Sequence, residues 1–546
     1  MTDPICDMAA RTRDWANRLT RQPSVNATPD EAAFGPWFAE ALQASDSFGP
    51  GAEIWTIPAA AGDDRHCVCL FVRGGGRRTV LLTGHFDTVT VDDYADLRDL
   101  AICPQELLAA LRKKLATDAQ SPAELRARQD FLGDEYLPGR GLLDMKSGLA
   151  AGLAVIENFV ARGDGTGNLL FIAVPDEENA SVGARRAAQD IAGIAARLEI
   201  DLVAAINLDA IADDGDGSAG RSIALGTVGK VLPTAFAVGV PTHSGFPFNG
   251  INAAALIAAI VTRMEWAEEL TDNSATQPGT PPSLLSLRDG KAGYDVTTPG
   301  TAFATWNVLL HQRSPEDVLD SFDQLCTEAV AWCLADLTRR ARRSALPEGQ
   351  SFAPGEIRLF RYQQVLAEAE RRSPGTGQTL RQISVALAHD GVPLPEQCRR
   401  LTERVWVESR LSGPAIVTGF GSIPYLATQL PQSADGQRLA AAARKAAAAS
   451  QDRYGCAITC SDYFAGISDM SFFGEADEST LAVVACNTPI WNGSIAWPDG
   501  PALGMIPTIN AGPWGRDYHT PLERLHKHYA FDVLPKLLTD LICGVF

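Results

Sequence analysis

Short apolar runs rich in β-branched and aromatic residues alternate along this chain with Ala-rich segments of helical periodicity. Strands are predicted at CVCLFVRG from Cys67, TVLLTG from Thr79, NLLFIAVP from Asn168 and DLVAAINLD from Asp201. Between the second and third, SGLAAGLAVIENFVARG reads as a helix beginning near Ser147. This alternation predicts an α/β domain with a mixed, mostly parallel sheet flanked by helices. From Gly226 the texture changes to strand, helix, two further strands and the long helix PEDVLDSFDQLCTEAVAWCLADLTRRARR, around a Pro/Gly/Ser/Thr-rich loop at 274–284. That order is the grammar of a small α+β sandwich with helices on one face. Strand and helix alternation then resumes, with GPAIVTGF and TLAVVAC expected as strands and RLAAAARKAAAAS (438–450) as an ordinary helix. The expected organisation is an α/β domain in two parts, 1–225 and 366–546, interrupted by an inserted sandwich at 226–365.

Composition adds limits to this picture. A chain of 546 residues is long enough for at least two cores. Its formal net charge of -19 argues against nucleic acid or an anionic membrane surface as the main partner. No run of 18 apolar residues occurs, and the N-terminus MTDPICDMAARTRDWANRL begins acidic and continues as an amphipathic helix, so neither a signal peptide nor a transmembrane helix is expected. The 11 cysteines are odd in number and lack zinc-finger spacing, which fits reduced thiols in a cytoplasmic protein.

The chemistry gathers where strands end, the edge at which open α/β sheets bind ligands. TVLLTG runs into His85 and Asp87, NLLFIAVP into Asp176, Glu177 and Glu178, and DLVAAINL into Asp209. GRGLLDMKSG places Asp144 at the entrance of the Ser147 helix, and GPWGRDYHTPLERL places His519 in a Gly/Pro-rich loop before an expected helix at Pro521. Each motif has a bland explanation of its own. HFD is an ordinary polar strand end, DEE suits a helix N-terminus where the dipole favours acids, and HTPLE reads as an N-cap with Pro521 in the first turn. So many acids at one sheet edge are costly without a cation. Imidazole and carboxylate together select a borderline divalent ion, zinc first, with cobalt or manganese as substitutes. Two imidazoles and three carboxylates exceed the needs of one tetrahedral ion, so a metal pair sharing one carboxylate is the economical solution. Asp87, two residues past His85, is placed to accept a hydrogen bond from that ring. Asp176 is left to cap or orient its turn.

TGHFDTV, GRGLLDMKSGLAA, VPDEENASVGAR, GVPTHSGFPFNGINA and HTPLE together resemble the successive signatures of the di-zinc aminoacylase, acetylornithine deacetylase and glutamate carboxypeptidase family. The resemblance implies a zinc-peptidase-like catalytic domain with an inserted lid or dimerisation domain. It implies that His85, Asp144, Glu178, Asp209 and His519 bind two zinc ions, with Asp144 bridging them and a cis peptide at Asp144-Met145. Glu177 would be the general base of amide hydrolysis, and His243, in PTHSG, would reach a catalytic site, commonly that of a neighbouring subunit. Arg313, in LLHQRSP, is a candidate for gripping a substrate carboxylate. Two departures stand out: a charged helical insertion between Asp87 and Asp144, and the overall length. Both resemble a long bacterial branch associated with arginine utilisation, which suggests an arginine-related or N-acylated amino acid as substrate. His526 and His528 read as surface residues of a C-terminal helix.

The function implied is a cytoplasmic metallohydrolase or peptidase acting on a small N-acyl amino acid or dipeptide, with a homodimer through the inserted domain. Hydrolysis of an N-carbamoyl or ureido bond, and a binding protein of the same fold without turnover, remain open. A serine hydrolase is not supported, since no G-x-S-x-G elbow is present, and no P-loop is present for nucleotides.

Overall fold

All four strands predicted in the first part of the chain form, and they lie in one sheet. The computed structural model describes residues 7–546 except 61, 164, 214, 275–277, 345–351, 353–354, 465, 496 and 498–502. The sheet contains β1 (Glu53–Pro58), β2 (His66–Gly75), β3 (Arg78–His85), β4 (Gly167–Val174), β5 (Asp201–Asn207), β6 (Ser222–Ala224), β7 (Thr459–Ser461) and β8 (Thr508–Asn510). Its order is β1-β2-β4-β3-β5-β8-β6-β7. The central strands β4, β3, β5 and β8 run parallel, whereas β1 and β2 pair antiparallel at one side. Strand β4 is buried along its whole length, as a parallel strand covered on both faces must be. Its continuous apolar run, without alternation, is the sequence form of that burial.

Register decides what arrives at the carboxyl edge. Pairing of β3 with β4 sets His85 opposite Val174, so the acids that follow Pro175 emerge beside the histidine. Pairing of β3 with β5 sets Thr83 opposite Asn207, and the Leu208 N–H continues the ladder to the Thr83 carbonyl at 2.9 Å. Asp209 is thereby delivered to the same edge. The helix Ser147–Arg162 begins at the residue expected and buries nearly all of its first three turns. It can approach the sheet because position 148 is glycine: a Cβ there would lie 2.1 Å from the Leu208 carbonyl oxygen.

The insertion between Asp87 and Asp144 forms a short helical stretch at Asp92–Leu100 and the two helices Pro104–Asp118 and Pro122–Leu132. A second, four-stranded sheet orders Tyr136–Pro138, Arg524–His526, Trp514–Arg516 and Ile211–Ala212. Its central pair is an antiparallel hairpin, and His519 lies in the hairpin's loop. The helix expected at Pro521 does not form. The first-turn chemistry of HTPLE serves a turn instead, with the Thr520 hydroxyl accepting from the Leu522 N–H and the chain returning as a strand at Arg524.

By its internal packing the chain divides into two units, one of Met1–Thr227, Thr428–Ala476 and Gly500–Phe546, the other of Val228–Ala427 and Asp477–Asp499. The second unit therefore extends beyond 365. Strand Ala415–Phe420 pairs with Pro233–Val238 and with Arg358–Arg361, and the sheet of this unit would lack an interior strand without it. TLAVVAC is a helix, Leu481–Asn487, not a strand. Its buried positions, Leu481, Val484 and Asn487, fall three apart, the spacing of a single helical face. The loop expected at 274–284 lies partly outside the described residues. The ten cysteines among the described residues are free, Cys6 lying outside them. No helix among the described residues is long and apolar enough to cross a membrane.

Replacing Gly148 with alanine is expected to lower the unfolding free energy by about 1–3 kcal/mol, because the helix must move off the sheet to admit the methyl group. Denaturant unfolding measures it; wild-type stability in Gly148→Ala would refute the close-approach argument.

Candidate metal centre

The carboxyl edge of the sheet brings five of the sequence-selected side chains into two overlapping groups. His85, Asp144 and Asp209 can each offer a ligand atom within 4.8 Å of the others, and so can Asp144, Glu178 and His519. Asp144 belongs to both. Its Oδ1 lies 3.0 Å from His85 Nε2 and its Oδ2 3.0 Å from His519 Nε2. His519 Nε2 is also 3.1 Å from Glu178 Oε1, and His85 Nε2 is 3.9 Å from Asp209 Oδ1. The Asp144-Met145 peptide is cis.

The supports of these side chains are themselves polar and buried or half-buried. The His85 ring is oriented by the Asp87 backbone carbonyl, which accepts from Nδ1 at 3.1 Å. The Asp87 carboxylate is farther from that nitrogen, at 3.6 Å. It accepts the backbone N–H groups of Glu177 and Glu178, each at 3.1 Å, and the Asn26 side-chain amide at 2.9 Å. The acid expected to orient the histidine thus also pins the turn that carries the other two acids. Asp176 caps that turn: its carbonyl accepts from Ala180 and Ser181, and its carboxylate from Val182 at the start of helix Val182–Leu198. Arg65 pairs with Asp176, Asp63 and Glu31. Asn510 holds Asp209 by accepting from its backbone N–H and donating to its carbonyl.

Electrostatics separates the acids. Burial pushes Glu177 well above the usual carboxylate range; His85 opposes this, and Asp469, Asp209 and Glu178 reinforce it. Burial and the neighbouring Asp144 raise Asp209 to about 8, and burial raises Glu178 as well. Asp144 goes the other way, since the bonds from His519 and His85 outweigh burial and hold it low. His519 rises to about 10, its bonds to Asp144 and Glu178 overcoming desolvation. A set of nitrogen and oxygen donors, buried except at His519, whose acids resist ionisation together is what a divalent cation would satisfy, so the residues present fit a metal pair.

Not every selected residue joins this cluster. His243 belongs to the second unit, where it is exposed and its Nδ1 accepts from the Gly245 N–H at 3.0 Å. The Arg313 guanidinium is bonded to the carbonyls of Glu269 and Asp317 and the hydroxyl of Ser321. These bonds tie Arg313 to the start of helix Pro315–Arg343. His526 is not on a surface helix: it ends strand Arg524–His526, packs against Trp514 with ring centroids 4.5 Å apart, and is lowered to about 4 by burial. His528 is exposed. Residues passed over in the sequence include Asn26, Arg65, Asn510 and Asp469. Asp469 is 1 % exposed, and burial raises it to about 7 against the attraction of His85. An acid inside the apolar stretch GISDMSFFG was the available signal for it.

Paired acid and imidazole side chains at a sheet edge form a candidate metal site, the kind of site a metal-dependent hydrolase uses. The model of peptidase family M20/M25/M40 matches residues 116–494, and the chain belongs to that family. RocB of Bacillus subtilis (strain 168) is 28% identical over 547 residues, covering 97% of this chain and 94% of its own. A succinyl-diaminopimelate desuccinylase 2 of Shewanella loihica is 28% identical over 240 residues, 42% of this chain and 61% of that protein. The fold is shared with a tripeptidase of Staphylococcus aureus subsp. aureus Mu50, at 15% identity and a TM-score of 0.53, covering 98% of both chains.

Asp87→Asn is expected to destabilise the chain by about 1–3 kcal/mol, because an amide cannot accept from both Glu177 and Glu178 while facing Asn26. Equal denaturant midpoints for the two proteins would overturn this account of the turn.

Proposed function

We propose that the chain hydrolyses the amide bond of a small N-acyl amino acid or dipeptide in the cytoplasm, using two zinc ions and Glu177 as general base. His85, Asp144 and Asp209 would hold one ion and Asp144, Glu178 and His519 the other. The observation that carries the reading is that Glu177 stands in neither ligand group yet is close enough to feel His85, Asp209 and Glu178 electrostatically. When bound, a zinc pair lowers the pKa of water and polarises a carbonyl oxygen. Glu177 accepts the proton of the attacking water and passes it to the leaving nitrogen, so that water and amide become carboxylic acid and amine. The partial similarity to a desuccinylase supports an N-acyl amino acid as substrate, and arginine and ornithine derivatives are natural first choices within that class.

Glu177→Ala is expected to retain two zincs by elemental analysis and to lose about 10²–10⁴-fold in kcat. The assay panel is N-acetyl, N-formyl, N-succinyl and N-carbamoyl amino acids with dipeptides, arginine and ornithine included. Wild-type turnover in the metal-replete variant would remove Glu177 from the mechanism. Turnover of N-carbamoyl compounds alone would move the substrate to a ureido bond, and binding without turnover of any compound would make the chain a binding protein.

His243 is the candidate donor to the developing oxyanion, supplied by the second copy of a homodimer formed through the inserted unit. Mixing His243→Ala with Glu177→Ala, each inactive alone, is then expected to restore activity through hybrid dimers. No recovery on mixing would exclude a donor from the partner copy.

A further inference from the structure

His519 differs from the other ligands in how it is held. His85 and Asp209 follow directly from central strands and are buried. His519 sits at the tip of a hairpin loop with its side chain 43% exposed, and both it (φ 61°) and Asp517 (φ 51°) adopt left-handed backbone conformations. Such conformations are disfavoured for non-glycine residues and persist where the surroundings over-determine them. Bonds inside the loop are few and local, chiefly the Thr520 hydroxyl to the Asp517 carbonyl and the Leu522 N–H to that hydroxyl.

The over-determination comes from the charged helical segment between Asp87 and Asp144. On helix Pro122–Leu132, Arg126 donates to the Asp517 carboxylate at 3.1 Å. One turn on, Asp130 accepts from Arg516 at 2.8 Å and from Arg524 at 2.7 Å, the two residues that bracket the loop. Arg524 is fully buried and also bonds Asp517. From the helical stretch Asp92–Leu100, Asp93 accepts from Arg140 at 2.7 Å. Arg140, 1% exposed, donates in turn to Glu523 at 2.7 Å, and Glu523 also accepts the Gly141 N–H at 3.0 Å. The start of the loop that carries Asp144 is thus tied to the end of the loop that carries His519.

We infer that the insertion is an ionic brace that positions His519, with Arg126 and Asp130 as positioning residues for the metal held by Asp144, Glu178 and His519. The inference rests on the proposed metal pair. An exposed histidine on a seven-residue loop loses conformational freedom when it ligates, and a loop already fixed at both ends has less left to lose. Charge-assisted bonds suit this task because they are directional and, at Arg140 and Arg524, shielded from solvent.

The test is zinc titration of the stripped full-length protein against a competing chelator, for wild type, Arg126→Met, Arg126→Lys, Asp130→Asn and His519→Ala. The Arg126 side chain is 33% exposed, so Arg126→Met reports even if Asp130→Asn does not fold. The expected result is two zincs in wild type, and in Arg126→Met and Asp130→Asn a weakening by about tenfold or more. The weakening should fall on the one equivalent that His519→Ala removes, leave the other unchanged, and be partly reversed in Arg126→Lys. Wild-type affinity for both equivalents in Arg126→Met, or equal weakening of both, would overturn the brace. A wild-type chain that takes up fewer than two zincs would instead overturn the metal-pair reading beneath it.

Discussion

A carboxylate shared between two imidazoles, Asp144 between His85 and His519, is the contact around which the first unit is organised. Around it lie Glu177, Glu178, Asp209 and Asp469, an acid density that water would ordinarily have to solvate. Each buried ion costs several kcal/mol unless paired or well hydrogen-bonded. Much of the surrounding architecture answers that cost. Asp87 and Asp176 are satisfied by backbone N–H groups and by Asn26 and Arg65 rather than by further charges in the centre. Asp209 is held through its own backbone by Asn510, which leaves its carboxylate to face inward. Glu31, behind Asp87, is raised to about 8 by burial and by that neighbour, against the pull of Arg65. The acids are kept in place by supports that do not neutralise the centre, and the neutralising charge is left for a cation to supply.

How far the sequence disclosed this follows from which interactions are local. The strand ends were legible because a strand covered on both faces must be apolar throughout, so the first acids after the run mark the edge. The Ser147 helix and the long helix Pro315–Arg343 were legible from their period, the latter opening with a capping box at Ser314 and Asp317. The limits of the second unit were not, because Ala415–Phe420 belongs to it through pairing with Pro233–Val238, some 180 residues earlier in the chain. TLAVVAC was ambiguous because seven apolar-rich residues satisfy both periods, and only the core they face decides between them. HTPLE misled for a sharper reason: Thr, Pro and Glu at cap spacing satisfy the start of a helix and the bend of a hairpin equally well. The pairing of Gly515 with Leu525 chose the hairpin.

Within the site, residue types were legible and supports were not. His85, Asp144, Glu178, Asp209 and His519 could be selected because metal chemistry restricts ligands to a few side chains. Nothing comparable marks Asn26, Arg65 or Asn510, whose residue types are common on any surface. Arg313 shows the converse difficulty. A guanidinium at a strand end is equally able to bind a substrate carboxylate or the carbonyls of its own fold, and the sequence did not show the acceptors that Glu269 and Ser321 supply to Arg313.

The two ligand groups that share Asp144 are therefore unequal in origin. His85 and Asp209 are extensions of the sheet, and their positions are set by the same ladder that sets the core; they can shift only if strands shift. His519 reaches the cluster on a loop whose path is set by charged side chains belonging to an insertion. A sheet-borne ligand has its geometry fixed by packing, which changes slowly and at high cost when sequence changes. A loop-borne ligand has its geometry fixed by a handful of ion pairs, each replaceable without disturbing a core. A site assembled in both ways keeps His85 and Asp209 tied to the sheet and leaves the placement of His519 to charged side chains at the periphery. On that view the charged helices between Asp87 and Asp144 are not ornament on an otherwise complete enzyme. They brace the hairpin loop that brings His519 to Asp144 and Glu178.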